Sequence, residues 1–183
     1  AKSNYTGTKG RAFMKILFCN ITYMNHYIGN IEEDIPQGGG AWVKKHKDAH
    51  EKWNFLNVNG QCYGFVMNKG DQFHIERLEG VSRQEVQTED VIVVWCALKP
   101  SEDGTKETVI VGWYEHAQVH RYYQQTYRSP FGLDRDFFVM AKAEDCYLLP
   151  ENEDYSPIRL TTDDFESGEA RIRGIAKEIK IKL

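Results

Sequence analysis

The chain has no closely spaced cysteine pair, no apolar run approaching the ~20 residues that span a bilayer, and no basic excess. Cys19, Cys62, Cys96 and Cys146 lie far apart, each within an apolar stretch. That distribution excludes a CxxC metal or redox pattern and points to buried free thiols of an intracellular protein rather than to disulfides. The first residues carry no signal-peptide core, so a soluble, cytoplasmic chain with no membrane partner is expected. A formal net charge of −4 argues against a generic polyanion binder, which would be basic overall. It leaves room for a local basic face, because attraction depends on where charge sits.

Catalytic signatures are missing too. There is no GxSxG for a serine nucleophile, no GK[ST] ending to make GGGAW a phosphate loop, and no GxGxxG. His46 with His50, and His116 with His120, have the spacing of neighbours on one helical face, but neither pair makes HExxH or has a recognisable completing ligand. Asp90 and Glu107 each precede a strand without forming an Asp…Glu-x-Lys metal site. No metal, no cofactor and no catalysis by this chain alone are expected.

What is present is a β-rich pattern. A length of 183 residues with 41% hydrophobic and 13% aromatic residues supplies one domain with a proper core. VIVVWCALKP and VIVGWYEHAQVHRYYQQ flank the polar SEDGTKET, the pattern of a hairpin with a longer loop. FMKILFCNI (13–21), CYGFVM (62–67), FHIERL (73–78), FFVMAKA (137–143) and CYLL (146–149) read as further strands. Ser82 with Glu85 suggests a capping box opening a short helix over 82–89. Residues 1–12 read as a flexible leader and 13–150 as the domain. Residues 151–183 read as an acidic loop followed by a helix with Ile172, Ile175 and Ile179 on one face. The expected fold class is α+β, a twisted, barrel-like mixed sheet with short peripheral helices and that C-terminal helix.

The aromatics suggest binding. Tyr23, Tyr27, Trp42, Trp53, Trp113, Tyr114, Tyr122 and Tyr123 fall mainly near strand ends and in connectors, among Asn, His and Arg. Rings can stack on bases and carboxamides can read a base edge. Lys44, Lys45, Arg121 and Arg128 are the candidate phosphate contacts.

The segments KILFCNITYM, GGGAWV…HEKWNF, CYGFV and the VIVVW…VIVGWYEHAQVHR hairpin resemble an N-terminal module of some bacterial modification-dependent restriction proteins. That module belongs to the PUA-like superfamily, twisted β-barrels that include EVE, YTH and ASCH domains. The resemblance spans 13–150 and is most distinctive in VIVGWYEHAQVHR. It implies recognition of a modified, flipped base in DNA, in preference to RNA, as the specificity part of an antiviral restriction system. It also implies a pocket with Tyr23 and Trp42 as ring contacts, Asn20 as an edge contact, and Trp113 and Tyr114 beside them. The sequence departs from that pattern in lacking a strong basic excess and an HNH-type motif, so cleavage would belong to another domain or a partner nuclease. Two rival classes stay open: a metal-dependent nucleotide or nucleic-acid enzyme using Asp90, Glu107 or the histidine pairs, and a protein-interaction module.

Overall fold

A computed structural model describes residues 15–29, 31–32, 34–37, 41–46, 48–68, 70, 72–126 and 135–149. Within them lie β1 (Lys15–Ile21), α1 (Ala41–His46), β2 (Gln61–Gly64), β3 (Gln87–Pro100), β4 (Lys106–Thr126), β5 (Arg135–Lys142) and β6 (Cys146–Leu148), with short 3-10 turns at His50–Trp53, Ile75–Arg77 and Ala143–Asp145. The strands form one mixed six-stranded sheet in the order β1-β3-β4-β5-β2, with β6 added to β4. β1 runs parallel to β3, from Lys15 opposite Val91 to Ile21 opposite Ala97, and the other pairings are antiparallel.

β3 is an almost unbroken apolar run because it is buried on both faces. Val91, Val93, Trp95 and Ala97 enter the main core, while Val94 and Cys96 join Ile110 in a smaller cluster backed by Ile16, Phe18 and Ile92. In the main core Tyr114 meets Trp95 and Phe55 edge-on, at ring-centroid distances of 5.2 and 5.4 Å. The β3–β4 hairpin closes through a loop in which Gly104, at φ +82°, donates to Ser101 O and the Asp103 carboxylate accepts from both the Thr105 amide and hydroxyl. A side chain at Gly112 would collide with Tyr147 O and the Phe55 ring, so this glycine is what lets β6 and Phe55 close on β4.

Several expectations are corrected. The sheet is open among the described residues, ending at β1 and β2, so the expected barrel closure is not made. Residues 73–78 form no strand. The Phe73 amide donates to Arg121 O, but the chain then turns, with Arg77 N bonded to His74 O and Leu78 N to Ile75 O. Nor do residues 82–89 form a helix. Half the capping box exists, Ser82 N donating to Glu85 Oε1 at 3.2 Å, yet Gln87 and Thr88 are already paired with His120 and Val119 of β4. Cross-strand bonding there overrides local helix capping. The leader and the C-terminal helix fall outside the described residues.

Candidate functional site

Because β1 and β3 are parallel, their last residues arrive at the same end of the sheet, the end where ligands gather in sheets with parallel strands. Alternation along β1 turns Cys19 and Ile21 inward and leaves Asn20 exposed. Just beyond, Gln37 N donates to Tyr23 O at 2.9 Å, drawing the segment that leads into α1 against the end of β1. α1 carries Trp42, Lys44 and Lys45, and Lys45 is exposed. Lys99, near the end of β3, sets its ammonium 5.5 Å from the Tyr23 ring centroid, a cation–π arrangement.

The neighbouring loop is fixed from within. Tyr27, at φ 51°, is buried, donates its hydroxyl to Thr22 O at 2.7 Å and accepts from Met24 N at 3.0 Å. Burial pushes its phenol well above the ordinary range, so it stays neutral. The Asp34 carboxylate accepts from Asn25 N and His26 N at 2.6 and 2.8 Å. Asn25 Oδ1 is itself buried with no hydrogen-bond partner among the described residues.

Thus Asn20 and Tyr23 lie at the same end of the sheet, Asn20 on the Cys96 face and Tyr23 packed into the main core, and Lys45 stands on the helix that follows. Tyr23 is only 7% exposed, so its ring is covered rather than displayed. The side chains of Trp42 and Lys44, and all of Arg128, lie outside the described residues. Trp113 and Tyr114 are corrections, because both are core residues. Trp113 stacks on Tyr147 at 5.0 Å, and the wholly buried Tyr114 donates its hydroxyl to Asn54 O. Arg121 is a correction as well. It is buried, donating from Nε to Glu85 O at 2.8 Å and pairing Nη1 with Glu76 Oε2 at 2.5 Å. A guanidinium used up in this way holds the 75–85 turns to β4 and is not presented to a phosphate.

The histidine pairs do not form helical faces. His46 and His50 belong to separate helical elements, while His116 and His120 lie on β4. Among the described residues no group of three His, Cys, Asp or Glu side chains is placed to hold a metal ion. The four thiols are free, and Cys19, Cys62 and Cys96 are buried as expected. Burial pushes the Cys96 thiol up to about 12.

A second polar group was not foreseen. Register shifts flank the Val91–Ala117 pair, with Asp90 and His116 both in left-handed conformations at φ 56° and 50°. Their side chains meet, His116 Nδ1 to Asp90 Oδ1 at 2.7 Å, in an exposed position, and Gln118 Nε2 donates to Glu89 Oε1 nearby. The Asp90 hydrogen bond raises the His116 pKa above the ordinary imidazole value. Sequence reasoning also missed Lys99 and the structural role of Asn54. The Asn54 carboxamide is buried and clasps Phe65, accepting from its amide and donating to its carbonyl at 2.9 Å each. No composition signal separates such an asparagine from a displayed one.

No protein-family model, curated protein or solved structure matches the chain.

Proposed function

We propose that this chain is a PUA-like recognition module that accepts a modified base, flipped out of DNA, at the shared end of β1 and β3. The observation that carries the reading is the Lys99 cation set over the Tyr23 ring, with an exposed carboxamide, Asn20, at the same end of the sheet on the face opposite Cys19. The segment KILFCNITYM, on which the resemblance rests, supplies two of the three. A flipped base costs a few kcal/mol to extrude, which stacking and edge hydrogen bonds must offset. Asn20 offers both a donor and an acceptor to a base edge. Lys99 would swing from the Tyr23 face as the base arrives, exchanging a cation–π contact for a stacked base and placing an ammonium beside the phosphate backbone. Lys45, with Lys44 and Arg128, would add backbone contacts. The chain would act as a specificity module in the cytoplasm, with any cleavage supplied by a separate nuclease domain or partner.

Among the described residues, the exposed His116–Asp90 pair favours an enzyme instead, since an imidazole oriented by a carboxylate is a general-base arrangement. The test is a binding panel of matched duplexes and single strands, bearing modified cytosine or adenine or neither, at stated salt, with and without magnesium. Preference for one modified duplex with no strand cleavage supports the reader. Equal affinity for all duplexes, or cleavage lost in Asp90→Asn, overturns it.

A further inference from the structure

Cys62 lies on β2, only 2% exposed, and Cys146 opens β6, half-buried. The chain brings them together by way of β5. Cys62 is paired with Ala141, and Ala143 N donates to Gly60 O at 2.9 Å, so the β2 strand and the end of β5 lie side by side. The 3-10 turn Ala143–Asp145 then folds the chain back, and Cys146 Sγ donates to Lys142 O at 3.2 Å. Lys142 is the partner of Gln61, the neighbour of Cys62, so this bond sets the Cys146 sulfur beside β2. Cys19 and Cys96 are the contrast. They sit on neighbouring strands but face opposite sides of the sheet, one in the main core and one in the smaller cluster.

We propose that Cys62 and Cys146 are a redox pair that closes into an intramolecular disulfide on reaction with a peroxide. Hydrogen peroxide reaches Cys146 first, because Cys62 is screened from solvent. The Cys146 sulfur takes one peroxide oxygen as the O–O bond breaks, giving a sulfenic acid and one water. The Cys62 sulfur then attacks the Cys146 sulfur. The S–S bond forms, the S–O bond breaks, and the departing hydroxide leaves as a second water with the Cys62 proton. In sum, two thiols are oxidised to one disulfide and one peroxide is reduced to two waters. The bond would join β2 to β6, two strands with no hydrogen-bonded pairing between them, since β2 pairs with β5 and β6 with β4. In a reducing compartment such a bond is transient and reports oxidation.

The test is peptide mapping of the whole chain after stoichiometric hydrogen peroxide at mildly alkaline pH, with alkylation and digestion under non-reducing conditions. The expected result is a single Cys62–Cys146 linked peptide, a loss of two hydrogens in intact mass, reversal by dithiothreitol, and unmodified Cys19 and Cys96. The melting temperature should rise by roughly 5 °C or more on oxidation. In Cys62→Ser, Cys146 should stop at a sulfenic acid that dimedone traps. Should that variant fail to fold, the wild-type map decides alone. No reaction, a link through Cys19 or Cys96, or Cys146 over-oxidised while Cys62 is still alkylatable after unfolding would each overturn the proposal.

Discussion

The interior frame around Asn54, Tyr114 and Arg121 and the exposed end of β1 and β3 are built from the same residue types, yet they differ in what each side chain has already bonded. In the frame, Asn54 holds both backbone groups of Phe65, Tyr114 holds the Asn54 carbonyl, and Arg121 holds Glu76 and Glu85. Each would leave a buried group unsatisfied if removed. At the β1–β3 end, Asn20 faces solvent and the Lys99 ammonium lies over the Tyr23 ring. Residue type does not distinguish a structural polar group from a recognition group, whereas burial and hydrogen-bond satisfaction do.

The largest test of that contrast is Asn54→Ala. It strands the amide and carbonyl of Phe65 and should cost about 3–5 kcal/mol in urea unfolding, with ligand affinity of the folded protein kept. A neutral result would remove Asn54 from the frame.

Arg121→Ala should cost about 2–4 kcal/mol, because it exposes the turn carbonyls and leaves Glu76 without its buried partner. It should not alter the salt dependence of DNA binding, whereas a lower slope would return Arg121 to the phosphate contacts. The Glu76 carboxyl adds a pH signature. Its own backbone N–H, then His74 and Arg121, hold it down to about 2, against an ordinary value of 4.5. A lowered carboxyl stabilises the fold fully above its unfolded pKa and loses that contribution as pH falls towards about 2. Acid unfolding of wild type should therefore steepen below pH 4.5. Arg121→Ala should remove only part of this, because the backbone and His74 remain.

At the exposed end the effects move from stability to binding. Lys99→Ala should reduce the slope of log affinity against log salt by about 0.9 on duplex DNA, while stability changes by no more than about 0.5 kcal/mol. Asn20→Ala should weaken binding to the preferred modified duplex by about 1 kcal/mol, roughly five-fold, and leave unmodified duplex binding and stability alone. A loss of stability in either variant would place these residues in the frame instead.

The strands were legible where hydrophobicity is simple. VIVVWCAL and VIVGWY announce β3 and β4 because buried apolar runs leave a clear trace, and FFVMAKA and KILFCNI are scarcely less plain. The 73–78 turn was illegible because its alternation mimics a strand, while the Arg121 guanidinium that ties it to β4 lies far along the chain. The paired bulges were invisible for a related reason. Asp90 and His116 adopt left-handed conformations without glycine, so no turn residue marks them. Asn20 and Tyr23 were singled out for the proposed site from their place at the end of an apolar strand. Lys99 became part of it only when the parallel register of β1 and β3 set the two strand ends side by side. Trp113 and Tyr114 were misassigned because a ring beside polar residues in sequence can still alternate into the core in space.

The most direct measurement is amide chemical-shift mapping on titration with the modified duplex that binds best. The amides of Asn20, Tyr23 and Lys99, with those of α1, should shift and saturate together, while Asp90, His116 and Arg121 stay in place. Shifts confined to the Asp90–His116 bulges, or no saturable shift with any modified oligonucleotide, would contradict it.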